Sequence, residues 1–181
     1  MEKHITREEA ALLAESSGFS HWGFFPVSEL RFRPEVREMC AADKCARYGK
    51  TWSCPPACGT LEEIREKAAG FTWGILLQTT AEMEDDFDVE AMMDAEKRQK
   101  ASLDAFVDAI GAPGDCLVMS AGTCTRCDGC TYPDAPCRFP EKLFVSMEAY
   151  GLVVSEVCKS ADIPYYYGPR TITYSGCVLF S

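Results

Sequence analysis

Eleven cysteines stand in this chain, and eight of them fall into two groups. The tighter group is Cys124-Thr-Arg-Cys127-Asp-Gly-Cys130, a C-x2-C-x2-C run, with Cys137 following after a gap of six. Thiolates at this spacing can wrap a compact loop around one centre, because each turn re-aims a sulfur at the same point. Bacterial ferredoxins use C-x2-C-x2-C-x3-C-P for this purpose. Here the last gap is longer, and Cys137 is followed by Arg138-Phe139-Pro140. The triplet points to a cubane 4Fe-4S iron–sulfur cluster, with Cys137 as the candidate fourth ligand. Zinc is the competitor, since four cysteines also close a tetrahedral site. Typical zinc sites set two C-x2-C hooks across a long loop, whereas three close cysteines in series favour iron–sulfur.

The looser group is Cys40-x4-Cys45-x8-Cys54-x3-Cys58, within MCAADKCARYGKTWSCPPACG. Proline after Cys54 stiffens the position of that sulfur. Plant-type ferredoxins use C-x4-C-x2-C, so only the first interval agrees. Buried thiols are the alternative, cysteine being among the most buried residue types. Four cysteines in so short a stretch argue against that for the group, although Cys58 stays open between ligand and packed thiol. Cys116, Cys158 and Cys177 sit in apolar patterns and read as core.

Arg126, Arg138 and Lys142 bracket the tighter group. Arg126 and Arg138 are candidate cofactor-binding residues, because positive charge beside a thiolate-bound cluster offsets its charge and raises its potential. The alternative is an exposed basic rim. Tyr48 and Trp52 lie beside the looser group, where they either shield a centre from water or fill core. In the looser group they suggest a shielded pocket, and in the tighter one the loop should hold its sulfurs at a strand end.

The rest of the chain narrows the classes of function. Hydrophobic residues make up 47% and charged residues 25% of the 181, which suits a folded domain and not a disordered chain. A net charge of −10 offers no basic footprint for nucleic acid or for an anionic membrane. The opening MEKHITREEAALLAESSG lacks an apolar signal core, and no apolar run approaches a membrane span. The expectation is a cytoplasmic protein, in which cysteines serve metal or redox chemistry more than disulfides. His4 and His21 are the two histidines and form no visible constellation, so a Ser-His-Asp or Cys-His hydrolase is disfavoured. Neither G-x-G-x-x-G nor G-x-x-x-x-G-K-[ST] occurs. The acidic run Glu82–Asp88 reads as a solvated face, or as a docking patch for a basic redox partner.

Those cysteines must be positioned by regular elements. Thr6 with Glu9, and Thr60 with Glu63, form capping-box patterns, predicting helices to about Gly18 and Ala69. Apolar Val89, Met92, Met93, Leu103, Phe106, Val107 and Ile110 predict a long helix closed by Gly111, with the methionines as core filler. Strands are expected at 19–27 (ending before Pro26), 71–80, 115–121 and 171–180, and further helices at 141–150 and 152–161. Residues 28–60 show no period and read as one long functional loop. The expected class is α/β, a single domain over 1–181. A single sheet would be flanked by helices, with cysteine-rich metal-binding loops at about 38–60 and 122–140.

The stretches CARYGKTWSCPP and GTCTRCDGCTYPDAPCRFPEKLFVSMEAYGLVV resemble the family known as domain of unknown function 2284, described as predicted metal-binding proteins. The resemblance runs from about Glu38 to Phe180. It implies a metal or iron–sulfur centre, with Cys40, Cys45, Cys54, Cys124, Cys127, Cys130 and Cys137 as matching ligands. Cys58 falls where that family has no fixed cysteine. LAESSGFSHWGFFPVSEL is similar to the opening of iron–sulfur corrinoid reductases of the epoxyqueuosine type. That likeness is one αβ unit long, and no cobalamin site is carried over from it. The functional expectation is one or two iron–sulfur clusters acting in electron transfer or in redox support of a partner protein. Two alternatives stand beside it, a cluster-dependent reductase of a small molecule and a non-catalytic structural zinc module.

Overall fold

A computed structural model describes residues 5–111 and 115–181; His4 lies outside them. Both capping boxes form. Thr6 accepts from the Glu9 amide and opens α1 (Arg7–Ser16), and Thr60 does the same with Glu63 for α3 (Leu61–Ala68). Each satisfies orphan amide donors of a first turn. Between them lie β1 (His21–Pro26) and α2 (Pro34–Ala41). β2 (Trp73–Glu82) and the long α4 (Val89–Ile110) follow. Asp88 caps the start of α4, and Gly111 closes it at φ +67°. The chain ends with β3 (Cys116–Ser120), β4 (Val145–Ser146), α5 (Val154–Ser160) and β5 (Thr171–Phe180).

The fold is α/β, with one mixed five-stranded sheet in the order β1-β2-β5-β3-β4. β5 is antiparallel to both neighbours, pairing with β2 from Trp73↔Phe180 to Glu82↔Thr171. Among the described residues, only the neighbours β3 and β4 pair in parallel, at Met119↔Val145 and Ser120↔Ser146. Side chains alternate across a strand, so β2 and β5 feed two cores. Ile75, Leu77, Val178 and Phe180 pack with Leu103, Phe106 and Ile110 of α4 and Ala10 and Ala14 of α1. Leu76, Cys177 and Leu179 face the other way, with Ile64 of α3 and Val157 and Cys158 of α5. Cys116, Cys158 and Cys177 are all buried, as their apolar surroundings required. His21 stacks on Tyr167 with centroids 4.1 Å apart, a packing role.

Four expectations need correction. Residues 28–60 are not one loop, since α2 lies within them; it buries none of its residues fully, so no apolar period marks it. Residues 141–150 are not a helix. They form a 3-10 turn at Pro140–Lys142 and then β4. Val145, Ser146, Met147 and Ala149 are buried, a short run whose periodicity alone does not separate strand from helix. Met93 is exposed and is not core filler, because it lies about 200° around α4 from the buried Ala95. Pro26 ends β1 inside the strand and not beyond it, tolerated because β1 is an edge.

Gly23 marks the tightest seam. A Cβ there would meet the Ala161 carbonyl oxygen at 2.2 Å, and backbone cannot step aside as a flexible side chain would. Gly23→Ala should therefore prise the end of α5 from β1 and cost at least about 2 kcal/mol, read as a lowered urea midpoint. An unchanged midpoint would mean that the α5–β1 seam yields freely.

Candidate metal centres

Parallel strands need a long crossover, usually a helix. Between β3 and β4 that crossover is residues 121–144, which contain the tighter cysteine group and no α-helix. Something else must hold this segment, and α4 supplies part of it. Glu96, Lys100, Asp104 and Asp108 recur every four residues and therefore share one face of the helix. Lys100 pairs with Glu96 and donates to the Thr123 carbonyl at 2.8 Å. Asp104 takes a two-pronged ion pair from Arg126. Asp108 pairs with Lys142 at 3.1 Å.

Cys124, Cys127, Cys130 and Cys137 all stand in the wall of one cavity of about 110 Å3. Residues of the looser loop complete that wall, among them Arg47, Lys50, Trp52 and Ser53. Trp52 donates its indole N–H to the Ala135 carbonyl at 3.1 Å and sets its ring edge-on to Tyr132. It thus covers the tighter group and not the looser one beside which it lies in sequence. Arg126 and Arg138 also border this cavity. Asp104 matches the charge of Arg126 and holds its pKa up, making it a clamp between loop and helix. Arg138 donates to the Gly129 carbonyl at 2.9 Å, bracing the turn between Cys127 and Cys130.

The looser group divides. Cys40, at the end of α2, joins Cys45 and Cys54 in the wall of a second cavity of about 280 Å3. Tyr48, Thr123, Ser146 and Glu148 share that wall. Cys58 is not in it. Burial pushes the Cys58 thiol up to about 11 and raises that of Cys40 as well. Glu148 is exposed as a residue, yet protein crowds its carboxyl and raises its pKa by desolvation.

The cavities meet at a knot of hydroxyls. Thr123 Oγ1 lies 3.3 Å from Ser53 Oγ and 3.4 Å from Cys54 Sγ, and Ser53 Oγ accepts from the Cys124 amide at 3.0 Å. Each loop therefore contributes to the neighbourhood of the other. Sequence reading found the cysteines and arginines, but not Glu148, Ser53 or Thr123. These are chemically ordinary residues, marked only by long-range contact.

Among the described residues, no three His, Cys, Asp or Glu side chains converge on a single ion position. The four cysteines of the tighter group instead share the wall of one cavity. An all-sulfur donor set suits zinc or an iron–sulfur cluster and not hard cations. The residues fit a sulfur-ligated group.

An α/β protein whose helix-free crossover places four thiols in the wall of one cavity has the anatomy of a metal-binding protein. The chain belongs to the domain of unknown function 2284 family, described as a predicted metal-binding protein, whose model matches residues 24–180. No curated protein and no solved structure matches it. None of the helices described is long and apolar enough to cross a membrane.

Proposed function

We propose that this metal-binding protein carries iron–sulfur clusters and serves in electron transfer or in redox support of a partner protein. The observation that carries the reading is the shared wall of Cys124, Cys127, Cys130 and Cys137. Zinc bonds sulfur at about 2.3 Å, which would draw its thiolates almost into contact. Four thiols spaced around a cavity suit a body of several atoms better than a point ion. Bound there, a cluster supplies one-electron chemistry, and this chain's residues hold and insulate it. Arg138 and the backbone turns fix the thiolates, and Trp52 limits water. The exposed Cys130 edge is the place where an electron could pass to a partner.

The test is anaerobic reconstitution followed by metal and sulfide analysis, then a potentiometric EPR titration. Brown protein with iron and acid-labile sulfide is expected, reducing in two separable waves because the two cavities differ in room and burial. Cys54→Ser should remove one wave. Colourless protein with stoichiometric zinc would overturn the iron–sulfur reading and favour a structural zinc module.

A further inference from the structure

The two cavities are not equivalent. The smaller has four cysteines of one group in its wall. The larger has only three, and the sulfur that would complete it is engaged elsewhere. Cys58 Sγ lies 3.8 Å from Arg37 Nη1 and 4.0 Å from the Ala149 carbonyl oxygen. Arg37 is itself fixed, donating to the carbonyls of Ala149 at 2.9 Å and Gly59 at 2.7 Å. Cys58 thus lies outside the cavity wall in a packed corner, near enough for the charges of Cys54 and Cys40 to reach its sulfur.

Besides Arg47, Tyr48 and Pro55 of the looser loop, the rest of the wall comes from the ends of two parallel strands and the chain just past them. Gly122 and Thr123 follow β3, and Glu148 and Ala149 follow β4. In α/β folds, ligands gather at the carboxyl ends of parallel strands. Zinc sites illustrate what an incomplete ligand set can do: structural ones fill every position with protein ligands, whereas catalytic ones use three and leave one for water or substrate. Three thiols lining a space of about 280 Å3, with one carboxyl group beside them, supply the donor set of an open site, although they do not converge on a single ion position before metal binds.

We infer that the larger cavity houses an open metal centre, held by Cys40, Cys45 and Cys54, whose free position binds a compact Lewis-basic molecule beside Glu148. The inference rests on the metal-centre reading above and adds a small-molecule site to it. The space falls below the roughly 300–1,000 Å3 of sites for drug-sized ligands, so the molecule has few heavy atoms. Glu148 borders the free position without ligating, and Cys58 supports Arg37 without ligating.

Cyanide is the probe, added to anaerobically reconstituted protein and followed by EPR. In the wild type it should shift the signal of one centre and leave the other unchanged. Cys58→Ser should keep wild-type iron and the same cyanide response, whereas Cys54→Ser should lose both the responsive signal and its share of iron. Glu148→Gln should keep the iron and change the apparent cyanide affinity several-fold. A wild type with no cyanide-responsive signal overturns the inference. So does loss of that centre in Cys58→Ser or in Glu148→Gln, since either result supplies a fourth protein ligand. A protein that takes zinc in place of iron defeats the iron–sulfur reading alone. Cobalt(II) substitution then decides the open site: a visible spectrum altered by cyanide in wild type and Cys58→Ser alike supports it, and an unresponsive spectrum overturns it. A wild type that binds no metal overturns both.

Discussion

Cys127→Ala should leave the protein with about half of its iron and sulfide, if the two centres are of equal size. Cys127 is the middle thiol of the tight triplet, and the chain on either side of it is pinned. Arg126, one residue before it, is locked to Asp104 and to the Lys142 carbonyl. Gly129, two residues after it, is held through its carbonyl by Arg138. The other three thiols of the group already occupy their own places around the cavity, so none can move across without giving up its position. The remaining iron should belong to the centre of the larger cavity and keep its EPR signal. Iron and sulfide at wild-type levels in the purified variant would show that Cys127 is no ligand and that the triplet has been misread.

Removal of the metal should act on the loops before the sheet. Residues 38–60 and 122–140 contribute few buried side chains, and all of them lie at Thr51, Ser53 and Pro55. Fixing backbone costs roughly 1–2 kcal/mol per residue, and these loops bury little apolar surface to offset it. Metal binding supplies the difference, because the free energy of coordination becomes free energy of ordering. After anaerobic chelation, amide exchange should accelerate by orders of magnitude across both loops. β2, β3 and β5 should keep their protection, since their side chains fill two cores that no thiol of either loop enters. Unchanged loop protection after complete metal loss would place the ordering in the ion pairs and hydroxyl knot alone.

Local rules carried the sequence reading a long way. Two capping boxes announced α1 and α3 because the motif satisfies backbone donors within four residues and needs no distant partner. The last strand was legible at its stated limits, 171–180, because β-branched and apolar residues fill it. Gly111 was legible as a helix stop, because glycine lacks a Cβ and so adopts positive φ without strain. The cysteine groups were visible as spacing. What spacing could not reveal was how the groups divide. The separation of Cys58 from Cys40, Cys45 and Cys54 depends on Arg37 and on a carbonyl more than ninety residues away in sequence. Trp52 was assigned to its sequence neighbours, but its partners are Tyr132 and Ala135. β4 was hidden because two residues of strand, paired with a distant parallel neighbour, leave almost no local pattern.

The ladder along α4 has a consequence for the ionic medium in which the protein works. Its rungs are graded in their contact with solvent. The side chains of Lys100 and Glu96 are 17% and 34% exposed, whereas those of Lys142 and Asp108 are 41% and 61% exposed. Dissolved ions screen exposed charges over a Debye length that shrinks from about 10 Å at 0.1 M to about 3 Å at 1 M, and they reach sheltered pairs far less. Rising ionic strength therefore undoes the ladder from one end. The Lys142 rung gives way first, while Arg126, sheltered with Asp104, still holds the Lys142 carbonyl and the Lys100 rung still ties Thr123 to the helix beside Cys124. In brine the Lys142 side chain would swing free, and the crossover would hang from the helix by two rungs in place of three.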